Sequence, residues 1–196
     1  KTKGDNKMGL WGATDADESK PKHLTTAEKK NVFATASGWV RKASDNGCDN
    51  AAADPEVLVA IGDLTTSIGA ADITGVEWIT TTFGAGAGGT LSLRVRWNEP
   101  VDVVEVGSGF KMILARTGGN NHTLRYASGT GTNELVFSLA VAGGGTSEND
   151  VISLPAGDLV KAGATSCKDA TGTASDASVA ISSAQATAAG TITVAA

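Results

Sequence analysis

Two histidines, His23 and His122, are all the imidazole this sequence offers. His23 follows a proline-broken charged stretch and His122 sits in a Gly-Asn turn, so neither has the nucleophile and orienting partner that a catalytic triad needs. Serine and threonine are so abundant that a hydroxyl near a histidine carries no signal. No His-Glu-x-x-His, paired metal motif or cysteine–histidine pair is present. The sequence predicts no enzyme and no cofactor.

Cysteine is equally scarce, with Cys48 and Cys167 alone. A bridge between them is one reading. The preferred one is two free thiols of a protein made in a reducing cytoplasm, because small bridged scaffolds carry a denser set and neither cysteine has metal-ligand neighbours. No run of about 18 apolar residues occurs, and the N-terminus lacks a signal peptide's apolar stretch. The expectation is a chain with no membrane span and no export address. Basic residues are also thin: the net charge is −5, with nine Lys and Arg against seven acids in residues 1–50 and seven against fourteen in residues 51–196. Neither part has the clustered basic stripe that phosphate neutralisation requires, which argues against a nucleic-acid partner.

What is plentiful is Gly, Ala, Thr, Ser and Val, in short apolar runs punctuated by turn residues, the composition of an all-β module. In "TLSLRVRW" (90–97) Leu91, Leu93, Val95 and Trp97 alternate with Ser92, Arg94 and Arg96, so one face is apolar and the other polar. "ELVFSLAV" (134–141) repeats the pattern with Leu135, Phe137, Leu139 and Val141. Further strands are expected at 76–82, 101–106, 110–115, 122–127, 151–155 and 191–195, separated by clusters such as "GAGAGG", "NEP", "GGNN" and "GGGTSEND" that make turns. About eight strands at such spacing read as a β-sandwich. Helix signals are nearly absent there. The one candidate is "TTAEKKNVFAT", capped by Thr25 or Thr26 with Glu28 nearby, and too short to stand alone.

Three motif matches carry bland readings. "GAGAGG" (84–89) satisfies G-x-G-x-x-G, but a phosphate cradle needs a helix after it and here a strand follows. "NHT" (121–123) fits a glycosylation sequon and reads as a polar turn entering a strand. Asp150, Asp158 and Asp169 lie near loops without the regular acidic spacing of a calcium loop, so they are expected to be solvated.

The stretch "LSLRVRWNEPVDVVEVGSGFKMILARTGGNNHTLRYASGTGTNELVFSLAV", continued by "ISLPAGDLVKAGATSCKDATGTASDASV", resembles the immunoglobulin-like bacterial repeats of large adhesins and surface proteins. The likeness covers roughly residues 73–183. The family's "F-S-E-P-V" type turn corresponds to Trp97, Asn98, Glu99, Pro100 and Val101, and its hairpin to Tyr126 through Phe137. A glycine run, "AGGGTSEND", stands where the family often has an acid after the hairpin strand. The resemblance implies an immunoglobulin-like β-sandwich over residues 57–196.

The first 80 or so residues resemble something else. "KPKHLTTAEKKNVFATASGWVRK", followed by "EVLVAIGDLTTSIGAADITGVEW", is similar to the N-terminal regions of virion structural proteins of tailed marine bacteriophages. That resemblance implies a role in the virion, assembled in the host cytoplasm. Lys20, Lys22, Lys29 and Lys30 interleave with Asp15, Asp17, Glu18 and Glu28 around Pro21, a composition poorly able to offset its own ordering entropy. Residues 1–56 are therefore expected to form an extended arm holding neighbouring virion proteins, either the major capsid protein or copies of the same chain. Trp11, Lys20, Pro21, Lys22, Leu24, Phe33 and Trp39 are its candidate contacts, the aromatics as anchors. The alternative for Phe33, Trp39 and Val40 is that they fold back onto the sandwich of their own chain. The functional expectation is a capsid decoration or cement protein; a tail or tail-fibre protein and a host-surface or carbohydrate-binding module remain open.

Overall fold

The structure, a computed structural model, describes residues 20–50, 52–66, 68–171 and 174–196. The chain divides into two compact units, Lys1–Gly69 and Ala70–Ala196.

The smaller unit begins with a single helical turn. Thr25 caps α1 (Thr26–Lys29) through a capping box: its side chain accepts from the Glu28 backbone N–H while the Glu28 carboxylate accepts from the Thr25 backbone. The helix stops there rather than running through the expected window, because Val32, Phe33 and Thr35 are residues that favour extended backbone. They form β1 (Val32–Thr35), which turns through Ala36 and Ser37 into β2 (Gly38–Arg41), pairing Phe33 with Val40 and Ala34 with Trp39. β3 (Glu56–Ala60) adds to β2, giving the order β1-β2-β3. Gly38 is obligatory at that junction: its φ is +128°, and a Cβ would meet the Val59 carbonyl oxygen at 2.0 Å.

This unit has a core of its own. Val32, Ala34, Trp39 and Leu64 are fully buried, with Leu24, Leu58, Val59, Ile61 and Ile68 packed partly against them. The expectation of an extended, coreless arm over residues 1–56 is thus corrected over the residues described, and the division falls at residue 69 instead. The sequence misleads here because its apolar residues are spread over β1, β2, β3 and the Leu64–Thr66 turn, and only strand pairing brings them together.

The larger unit is mostly β, as the alternation implies; among the described residues strand outweighs helix, 47% to 10%. Its strands are β4 (Ile73–Trp78), β5 (Phe83–Gly84), β6 (Gly89–Val104), β7 (Phe110–Arg116), β8 (His122–Ser128), β9 (Thr132–Val141), β10 (Val151–Ser153), β11 (Gly157–Asp158), β12 (Val160–Lys161), β13 (Ser166–Asp169), β14 (Ala180–Ile181) and β15 (Thr191–Ala195). They curl into one sheet of order β13-β6-β9-β8-β7-β10-β15-β5, with β4 on β6 and β12 on β7; β11 and β14 pair separately. Leu91, Leu93, Val95, Trp97, Leu135 and Phe137 are all fully buried, and Phe110, Met112, Leu114 and Leu124 from β7 and β8 share their core. The unit also holds a short helix, α2 (Ser183–Ala189), in a stretch with no expected element. Ser182 and Gln185 form its capping box, and Gln185 Nε2 donates to the Ile73 carbonyl at 2.6 Å, tying the helix to β4.

One departure from the expected strands places Glu99. "NEP" has the composition of a turn between two strands, yet β6 runs unbroken through it for 16 residues. β6 pairs Arg96 with Glu134 and Val101 with Thr132, so residues 97–100 stand opposite Asn133 alone. This is an enlarged bulge, four residues against one, and a bulge is where a strand tolerates a proline that has no N–H to donate. Pro100 keeps its carbonyl in use, accepting from Ala170 N at 3.0 Å.

Candidate functional site

The bulge delivers a carboxylate into the core. Glu99 is 0% exposed, and neither of its carboxylate oxygens has a hydrogen-bond partner among the described residues. An unsatisfied buried polar group costs stability, and native folds keep few of them without a reason. Asn133, across the bulge, is buried with its Oδ1 likewise unpartnered. Along β9 the burial alternation sets Asn133 on the face of Leu135 and Phe137, the core face.

Asp169 comes from β13, which pairs with β6 just past the bulge and places Asp169 opposite Val101. It too is buried, on the face of Cys167. Its Oδ1 accepts from the Thr171 backbone N–H at 2.7 Å and from Thr171 Oγ1 at 2.9 Å, a local turn that fixes the carboxylate. Burial first and the Asp169 charge second push the Glu99 carboxyl up to about 8; the Thr171 hydroxyl pulls against them, and Asp72 adds the weakest push. Asn98 holds the rim, its Oδ1 accepting from Asp72 N at 2.7 Å.

A second charged cluster lies on the outer face of β4, β6 and β9. Arg96 donates from Nε to Glu134 at 2.7 Å and from Nη1 to Glu77 at 2.9 Å, while Arg94 stands 3.6 Å from Glu77 and 3.7 Å from Glu134. Both arginines face away from Leu93, as the alternation requires. Arg96 is nevertheless 7% exposed, because its two carboxylate partners cover it.

The remaining sequence candidates are dispersed. His122 opens β8, buried, with Nε2 unpartnered among the described residues; burial first and the Arg116 charge second hold its imidazole below the usual range. Of the three acids expected in solvent, Asp158 is exposed, but Asp150 and Asp169 are buried. Asp150 accepts from Ser147 N at 2.9 Å and lies 3.5 Å from Arg116 Nε, so it is neutralised by a partner rather than by water. Among the described residues no three His, Cys, Asp or Glu side chains gather as a metal set. Cys48 is exposed and Cys167 buried, both as free thiols. "GAGAGG" is a loop from β5 into β6, where a Cβ on Gly88 would sit 2.4 Å from the Val141 carbonyl oxygen. An apolar groove of about 380 Å³ beside α2, including Leu154, Ala186 and Thr187, is lined by no titratable side chain.

The expected partner contacts fare differently from one another. Trp11 lies outside the described residues. Lys20, Pro21, Phe33 and Trp39 are buried, Leu24 is half-buried and only Lys22 is exposed. Lys20 is 1% exposed: its Nζ donates to the Lys29 carbonyl at 2.8 Å and sits 5.5 Å from the Trp39 ring centroid. Lys20, Trp39 and Phe33 therefore support their own chain, correcting their reading as free anchors. Glu99 escapes sequence reasoning because it reads as a turn residue. Its one signal is an acid inside a run, "RVRWNEPVDVV", that otherwise alternates as a strand.

No family model, curated protein or solved structure matches the chain.

Proposed function

We propose that this chain is a bacteriophage virion structural protein, specifically a capsid decoration or cement protein. In this reading the larger unit is an immunoglobulin-like sandwich and the smaller unit attaches it to neighbouring virion subunits. The observation that carries the proposal is the partition at residue 69. The stretches that resemble phage virion proteins, "KPKHLT" and "GWVRK", fall in the smaller unit, and the immunoglobulin-like pattern falls in the larger one. A chain with one unit for attachment and one for display is the economy such a protein requires.

The small unit's own core changes how attachment would work. Contacts are drawn from its exposed surface, including Lys22 and the outer strand β3, where Val57 is 50% exposed, rather than from Phe33 or Trp39. An outer strand offers unpaired backbone groups to a partner. The deciding experiment is occupancy. The full chain should copurify with particles in a fixed, high ratio, and a chain starting at residue 70 should not. A truncated protein that still fills particles would assign attachment to the sandwich. A few copies per particle, with independent binding to host cells, would assign the chain to a tail or receptor-binding role.

A further inference from the structure

We propose that the β6 bulge is a calcium site, in which Glu99, Asp169 and Asn133 bind one Ca²⁺ that ties β6, β9 and β13 together. The proposal does not depend on the virion reading. It rests on three buried oxygens with no partner among the described residues, both carboxylate oxygens of Glu99 and the Oδ1 of Asn133, at a place where strand pairing also brings a buried Asp169.

An ion pair is the usual reason for a buried acid, but the charged groups acting on Glu99 are Asp169 and Asp72, both of its own sign. A hydrogen-bond network is the next commonest reason, yet both Glu99 oxygens and Asn133 Oδ1 receive no donor among the described residues, and the Thr171 hydroxyl donates to Asp169 instead. Acceptors facing acceptors call for a cation or a proton. Every side chain in the set offers oxygen, including the Thr171 hydroxyl, and oxygen-only sites select hard cations. Between the two common divalent ions, the full burial of Glu99 favours calcium, which surrenders its waters to carboxylates more readily than magnesium does. The two carboxylates, the amide oxygen and the hydroxyl supply most of the ligands calcium needs; water or main-chain carbonyls complete them.

A proton competes for the same place. Calcium binds ionised carboxylates, so any proton held between Glu99 and Asp169 must leave as the ion enters, and binding should tighten as the pH rises.

The test uses the full chain, freed of metal by chelation and dialysis. Titration with CaCl₂ in a calorimeter should give one ion per chain, with a heat that depends on the buffer's ionisation enthalpy, and MgCl₂ should bind at least tenfold more weakly. Millimolar CaCl₂ should raise the melting temperature over chelator alone. Glu99→Gln and Asp169→Asn should each bind at least tenfold more weakly, and either variant suffices if the other fails to fold. Wild-type protein that takes up no calcium at pH 8, by calorimetry and by metal analysis after dialysis, overturns the proposal and leaves a shared proton in the bulge instead. Undiminished calcium binding by both variants places the ion elsewhere and overturns it equally.

Discussion

Phe110 on β7 and Phe137 on β9 meet edge to face, their ring centroids 5.1 Å apart and their planes at 76°. Tyr126 on β8, between them in the sheet, completes the cluster at 6.2 Å from each. Such pairs add to plain burial because the edge of one ring meets the electron-rich face of the other. Phe137→Ala should cost about 3–5 kcal/mol, and Phe137→Leu clearly less, since it leaves a smaller void. Denaturant titration of the two variants checks this; equal losses would mean that the core collapses around the gap.

On the outer face, the two arginines of β6 should differ. Arg96→Ala removes the shorter partner of the largely covered Glu134 and leaves it only the 3.7 Å contact with Arg94 among the ion pairs described, so it should cost about 2 kcal/mol, below the range for a fully unpaired buried charge. Arg94 is more exposed and its contacts are longer, so Arg94→Ala should cost no more than about 1 kcal/mol. Stability measured in low and high salt should be salt-sensitive for Arg94 and nearly insensitive for Arg96.

In chelator, Glu99 should make stability fall with pH. Its folded carboxyl is raised from 4.5 to about 8, so between those values the unfolded chain gives up a proton that the folded chain keeps. The stabilisation is complete below about 4.5 and is lost as the pH passes through about 8, a change of up to a few kcal/mol. Glu99→Gln has no such titration. Subtracting its pH profile from that of the wild type isolates the effect, and parallel profiles would show that Glu99 titrates normally.

Lys20 should matter to the small unit alone. Lys20→Met keeps the aliphatic stem over Trp39 but removes the charged hydrogen bond to the Lys29 carbonyl, costing about 1–3 kcal/mol locally. Hydrogen exchange should quicken in β1 and β2 and stay unchanged in β6 and β9. Equal acceleration in both would mean that the two units unfold as one.

The thiols should separate cleanly. Cys48 is exposed and should react at once with a disulfide reagent, whereas burial pushes the Cys167 thiol up to about 11 and removes it from reach. One fast thiol in the folded protein and two in denaturant is the expected count.

Sequence by itself determined the longer strands of the body, though not the short β5 and β11 to β14, which carry too few residues to alternate. Period-two alternation depends only on neighbours along the chain, so Leu91, Leu93, Val95 and Trp97 announced their face and Arg94 and Arg96 the other, and the glycine-rich breaks announced the loops. It also placed a capped turn at Thr25 or Thr26, of which the structure uses Thr25. What only the tertiary structure decided were the facts that depend on pairing between distant segments. The small unit's core is assembled from residues too few in any one stretch to be visible, and Trp39 is buried only because Leu64 and Lys20 arrive from either side in sequence. "NEP" has turn composition, but an outward turn would have cut β6 in two. Pairing with β9 on one side and with β4 and β13 on the other held the strand together and forced the surplus residues into a bulge. That choice, made by strands remote in sequence, is what carried the Glu99 carboxylate inward to face Asp169.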